Sequence, residues 1–273
     1  MKASVLPVGA TQIVVFDHIQ VPHGCSTRVG GVSTGHLESL NTGFTVGDSP
    51  LNVWTNRGRF ARHLGVDNLP WLLSMTHGTE VVAITQPVPL PEDRNSRPGT
   101  SFEADGCVTN VPGLPLSLTV ADCVPVFFHD PRARAVGVTH AGWRGTVAGI
   151  VARTVERMVE SCGSDPLDIR VGIGPSIGPR AFEVGPEVVS AFAESFPDQS
   201  NIILDHPDAD SRTAGKAFIN LWEANRLMAL RAGVTEANIR VSGWCTASHP
   251  ELFFSHRRDR GKSGRLLAGI VLK

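Results

Sequence analysis

The 273-residue chain contains no tyrosine, so no phenolic hydroxyl is present to relay a proton. It has no long run of one charge either. Its 25 lysines and arginines stand against 26 aspartates and glutamates, a formal net charge of -1, and nothing in that balance forms the basic footprint that nucleic acid requires. A small-molecule substrate is the expectation, with no nucleic-acid partner. Long apolar runs are missing as well: the opening stretch from Met1 to His18 is broken by Pro7 and by Thr11-Gln12, too short and too polar for an export signal or a membrane span. It reads as a first β-strand, and no membrane partner is expected. Cysteine is sparse. Cys25, Cys107, Cys123, Cys162 and Cys245 are odd in number and far apart, which argues against a disulfide framework and for a reducing compartment, expected to be the cytoplasm.

What is there suits one domain spanning 1-273, long enough to bury a large core. Two loop-like excursions interrupt it, the proline-rich Thr85 to Ser101 and the Asp- and Ser-rich Pro197 to Gly215. Between them, apolar runs at Leu116 to Val120 and Val124 to Phe128 flank Ala121-Asp122-Cys123, and a β-like run, Ala135 to Thr139, delivers His140. A helical segment ending near Gly163 follows, its apolar face formed by Val147, Ile150, Val151, Val155, Met158 and Val159. Further helices are expected from Pro186 to about Phe196 and from Ala217 to Ala232, and further strands at Ile169 to Ile173, Ile239 to Ser242 and Leu266 to Leu272. Strands and helices alternate only in the second half, which predicts an α+β or mixed layered fold over a regular doubly wound sheet.

Among the ten histidines, His77 and His140 each precede glycine or Ala-Gly, where a ligand or backbone can approach closely. With Cys123 they supply the three protein ligands that a catalytic zinc takes while leaving a fourth position open. The spacing matches no compact metal motif, and the residues alone equally allow a small buried cysteine and two satisfied histidines.

The motifs Ser26-Thr27-Arg28-Val29-Gly30-Gly31, Ser39-Leu40-Asn41-Thr42-Gly43, His77-Gly78, Ala121-Asp122-Cys123-Val124-Pro125, His140-Ala141-Gly142-Trp143-Arg144-Gly145 and Phe253-Phe254-Ser255-His256-Arg257-Arg258-Asp259 carry a resemblance. In that order they resemble the YfiH-type family, once called laccase-domain or polyphenol oxidase proteins and now described as purine nucleoside phosphorylases. The resemblance implies an α/β/β/α sandwich similar to the cytotoxic necrotizing factor deamidases. It also implies zinc on His77, Cys123 and His140. The activities it implies are phosphorolysis of adenosine, inosine, guanosine and methylthioadenosine, with adenosine deamination besides. Purine nucleosides and phosphate would be the partners. His256 and Phe182 stand where tyrosine is common in the family.

Other residues are candidate substrate contacts. Arg144, opening a helix after His140, is expected to hold phosphate, and Arg28, in a glycine-flanked turn, to reach phosphate, ribose or base. Asn41 and Asp105 are further candidates, each with a local role as the alternative: a turn for Asn41, and for Asp105 the orientation of a zinc-bound histidine. Arg257 either lines a pocket with Arg258 and Asp259 or joins a bridging ion pair. Gly172 to Gly178 lacks the lysine of a P-loop and reads as a tight turn in the pocket wall. A competing mechanism makes Cys123 a thiolate nucleophile activated by His140, giving an amidase, deamidase or peptidoglycan-precursor editor. A copper oxidase is disfavoured, because no His-x-His pair is present for a copper cluster.

Overall fold

The computed structural model describes residues 3–67, 69–70, 73–89, 92–95, 99–197 and 200–273. One sheet is antiparallel throughout and has the order Ser4–Val8, Thr11–Val15, His23–Ser26, Leu266–Val271, Pro115–Val120. A second has the order Ile239–Val241, Arg170–Ile173, Val124–Asp130, Ala135–Ala141, Gly106–Thr109, Val81–Ala83, antiparallel at its centre and parallel at its two outer pairs, and two smaller sheets of three and two strands accompany them.

Three of the four apolar clusters among the described residues set the layers. Helix Pro50–Leu64 packs Phe60, Ala61 and Leu64 against Ile13, Leu267 and Val271 on the outer face of the first sheet. Between the sheets, Val14, Leu116, Leu118, Ala268 and Ile270 meet Cys107, Phe127, Val136 and Val138. Beyond the second sheet, Val126, Phe128 and Ala135 pack with Ile150, Val155 and Met158 of helix Ile150–Cys162 and with Leu221, Ala224 and Ala229 of helix Leu221–Arg231. The fold is mixed α+β, as its sequence pattern predicts. Strands Val124–Asp130 and Ala135–Ala141 are buried at every position because both of their faces are covered. Such strands read as unbroken apolar runs without alternation.

The structure revises several elements. The opening stretch is a hairpin of two strands, not one, because Gly9, at φ +58°, turns the chain back on itself. The helix after His140 is split into Trp143–Val147 and Ile150–Cys162, since Gly149 sits at φ +85° and breaks the ladder. Val159, assigned to the buried face of that helix, is 40% exposed. The helix expected from Ala217 starts only at Leu221. Ala217–Ile219 is a strand, and Asn220 caps the helix by accepting from the Glu223 N–H. The Pro197 to Gly215 segment carries a strand, Ile203–Asp205, and a helix, Ala209–Thr213. Positions 198 and 199 of that segment lie outside the described residues, as do 90, 91 and 96–98 of the Thr85 to Ser101 loop. Helix Pro50–Leu64 went unread in the sequence, although Pro50 opens it and Gly65, at φ +71°, closes it.

Candidate metal centre

The Val124–Asp130 and Ala135–Ala141 strands form a hairpin whose register sets Pro125 opposite His140 and Val124 opposite Ala141. Cys123, one residue before Val124, therefore meets the end of the strand that carries His140. His77 comes from the connection between Leu73–Ser74 and Val81–Ala83. The ligating atoms of His77, Cys123 and His140 all lie within 4.8 Å of one another. The two imidazoles stand edge to face, their centroids 4.9 Å apart.

Backbone in the left-handed region aims two parts of this cluster: His77 has φ 62° and Asp122, just before Cys123, has φ 81°. Non-glycine residues rarely adopt that conformation, and it costs about 1 to 3 kcal/mol where it does occur. Each is held by carboxylate hydrogen bonds. Asp122 accepts from Ser255 Oγ at 3.0 Å, from the Arg257 N–H at 2.6 Å and from Thr246 Oγ1. Asp105, fully buried, accepts through Oδ2 from Thr76 N–H, Thr76 Oγ1 and Gly78 N–H at 3.0, 3.0 and 2.8 Å. Its Oδ1 accepts from the His77 N–H at 3.0 Å and from His140 Nδ1 at 2.9 Å.

These bonds set the electrostatics of the cluster. Burial alone would raise the Asp105 carboxyl, but the bonds from His140 and Gly78 more than offset it and hold it down at about 2. Since ionised Asp105 only accepts, Nδ1 of His140 carries a proton, and Nε2 is the nitrogen left to ligate an ion that displaces its proton. Burial would also raise the Cys123 thiol. The charge and hydrogen bond of His140, then those of His77, outweigh it and favour the thiolate. A thiolate with two imidazoles is the donor set that a borderline-soft ion such as zinc takes, the ion replacing any proton on the ligating nitrogens. Gly142 keeps the space clear: a Cβ there would lie 3.0 Å from His77 Cδ2 and 3.3 Å from Cys123 Sγ.

All three residues line one cavity of about 400 Å³, shared with Thr45, Met75, Thr119, His256 and Arg265. A second, apolar slot of about 140 Å³ adjoins it, lined by Trp143, Ile177, Phe182 and Leu221, with Ala121, Cys123 and His256 common to both. Ile177 comes from the Gly172 to Gly178 turn, which thus does shape a pocket wall.

The other candidates separate. Asp105 binds no open space; it is the buried acceptor that orients His140, a positioning group. Asn41 is equally spent, its amide donating to Gly43 O and Asp48 Oδ2 and accepting from the Gly43 and Arg265 N–H groups. Arg28 lies outside the cavity wall, donating to Glu38 O and Pro250 O with its guanidinium 4.7 Å from the Phe254 ring. Arg144 is exposed and stacks on Trp143 at 4.4 Å, on a helix of only five residues and off the cavity wall. Arg257 does line the slot, donating to Glu183 O, while Arg258 and Asp259 form the ion pair at 2.8 Å. Arg265, Asp122 and His256 were missed as candidates. For Arg265 the sequence carries only a weak signal, a cation directly before the unbroken apolar run Leu266 to Leu272.

Two imidazoles and a thiolate on a cavity wall, with one side facing open space, define a candidate mononuclear metal centre in a mixed α+β protein. The chain belongs to the family described as multi-copper polyphenol oxidoreductase laccase, whose model matches residues 22–273. It is 39% identical over 260 residues to the purine nucleoside phosphorylase YlmD of Bacillus subtilis, covering 93% of this chain and 89% of that protein. With the enzyme of the same name from Geobacillus stearothermophilus it shares 39% identity over 252 residues, 90% of this chain and 88% of the relative. The crystal structure of a Bacillus licheniformis hypothetical protein, YfiH, superposes with a TM-score of 0.85 at 36% identity, covering 98% of each chain.

Proposed function

We propose that the chain is a zinc-dependent enzyme that cleaves purine nucleosides with phosphate, accepting adenosine, inosine, guanosine and methylthioadenosine, and that it also deaminates adenosine. The observation that carries this reading is the His77, Cys123 and His140 cluster, with ligating atoms within 4.8 Å, on the wall of a cavity large enough for a small polar substrate. Its relatives named purine nucleoside phosphorylases support it. His77, Cys123 and His140 would hold the ion, which when bound supplies a Lewis acid able to lower the pKa of water or to polarise a substrate oxygen. Asp105 fixes the tautomer and orientation of His140. We read 1-273 as one catalytic domain, because Leu266–Val271 sits in mid-sheet between His23–Ser26 and Pro115–Val120. We also infer kinship of the layered sandwich with the cytotoxic necrotizing factor deamidases, and a cytoplasmic location that keeps the thiolate reduced.

Elemental analysis of the purified protein should find close to one zinc per chain. Nucleosides supplied with phosphate should yield free base and ribose 1-phosphate. Protein that takes up no zinc, or that is zinc-loaded and turns over none of the four nucleosides, defeats the proposal.

One observation favours a second reading. Asp105, His140 and Cys123 form a chain in which the carboxylate orients the imidazole and the imidazole stabilises a thiolate, as in a cysteine amidase. Iodoacetamide separates the two. A nucleophilic Cys123 reacts in metal-containing protein, whereas a zinc-bound thiolate reacts only after chelation.

A further inference from the structure

Arg265 shares the cavity with the three candidate ligands, and the fold builds it in with care. Its backbone N–H donates to Asn41 Oδ1 at 2.9 Å, and its backbone carbonyl accepts from Thr42 N–H and Oγ1 at 3.0 and 2.8 Å. The aliphatic stem passes so close to Gly43 that a Cβ there would lie 2.6 Å from its Cγ. Nη1 donates to Ser263 O and Gly264 O at 2.9 and 3.1 Å. Nε and Nη2 have no partner among the described residues, and no described carboxylate pairs with the guanidinium.

The neighbouring arginines differ. Arg258 is matched by Asp259, Arg28 and Arg144 lie off the cavity wall, and Arg257 is exposed in the apolar slot, its guanidinium 5.2 Å from the Phe182 ring and outside the polar lobe. A half-buried guanidinium with two free donor groups, near the charges of Cys123 and Asp122 but hydrogen-bonded to no described carboxylate, loses hydration that an anion with oxygens in the plane of the fork restores. The apolar slot adds direction. Trp143, Ile177, Phe182 and Leu221 offer a flat ring apolar contact on the far side of Cys123 and His256, leaving the polar lobe with Arg265 for the charged reactant.

We propose that Arg265 binds inorganic phosphate, that Asn41 is its positioning residue, and that the purine ring occupies the adjoining apolar slot; the assignment rests on the reading of the chain as a nucleoside phosphorylase. A phosphate oxygen held at Arg265 forms the bond to C1′ of the ribose as the bond from C1′ to the purine nitrogen breaks. The electron pair leaves with the purine, and the proton of hydrogen phosphate ends on that base. Phosphate binding by Arg265 needs no contribution from Arg144.

The test titrates inorganic phosphate calorimetrically into zinc-loaded protein as wild type, Arg265→Gln, Arg265→Lys and Arg144→Ala, with circular dichroism and zinc content checked for each. Phosphorolysis of inosine is then followed with phosphate varied. Arg265→Gln should weaken phosphate binding roughly ten- to a hundredfold and raise the KM for phosphate in step, with the KM for inosine little changed. Arg265→Lys, which keeps the charge but loses the fork, should fall between, and Arg144→Ala should match wild type. Phosphate binding by Arg265→Gln as tight as by wild type overturns the assignment, and so does a folded wild type that binds no phosphate. Phosphate binding that depends on Arg265 in a protein that cleaves no nucleoside would sustain the anion site and refute the phosphorylase reading.

Discussion

Replacing Asp105 by asparagine keeps the shape of the buried side chain and removes its charge and half of its accepting capacity. Five donors converge on this carboxylate: Thr76 N–H, Thr76 Oγ1 and Gly78 N–H at Oδ2, and His77 N–H and His140 Nδ1 at Oδ1. An amide has one oxygen, so in its better orientation it still turns an NH₂ toward His77 N–H and His140 Nδ1. Two of the five bonds become donor against donor. Each buried donor left unsatisfied costs about 1 to 3 kcal/mol, which gives about 2 to 6 kcal/mol of lost stability. His77, at φ 62°, loses the bond that holds it in that conformation, and His140 loses the acceptor that fixes its tautomer. Loss of such an outer partner typically weakens a metal site about ten- to a hundredfold. The assays are urea unfolding of apo and zinc-loaded protein, and zinc competition against a chromophoric chelator. An Asp105→Asn protein that unfolds at the wild-type midpoint and holds zinc within about threefold of wild type would show that the carboxylate does not organise the site.

Three further outcomes are expected. Gly142→Ala should lower zinc occupancy in elemental analysis while leaving the fold intact by circular dichroism, because its Cβ would press on His77 and Cys123. Arg57, fully buried, donates to Thr42 O, Leu69 O, Pro70 O and Ser117 Oγ, so Arg57→Met should cost about 2 to 5 kcal/mol in urea unfolding by stranding those acceptors. His23 is buried as the neutral ring, its Nε2 accepting from the Phe16 N–H and its Nδ1 donating to Val21 O, and burial lowers it from 6.5 to about 4. The unfolded chain therefore takes up the proton first as pH falls: stability is intact above pH 6.5 and lost progressively down to about 4, by about 3 kcal/mol from this residue. Thermal unfolding at pH 7 and pH 5 checks it, and a His23→Gln protein should lose much of that dependence.

The chain's own pattern settled whatever depends on neighbours along it. The unbroken apolar runs around Ala121-Asp122-Cys123 and before His140 announced strands, and Gly78 and Gly142 marked where backbone comes close to the cluster. The mixed α+β class followed from the order of those runs, and His77, Cys123 and His140 stood out through motifs that resemble a known family. The split of the helix after His140 was also local, since Gly149 was there to be read. Tertiary structure decided the rest. Asn41 and Asp105 could be told apart from substrate contacts only once their bonds to Arg265 and His140 were in place, and those partners lie 224 and 35 residues away. Arg144 and Arg265 are alike in one dimension. Which of them lines the cavity depends on where Leu266–Val271 enters the first sheet and on the Asn41 loop packed against it, because a side chain's free donors are counted only after the chain has folded around them.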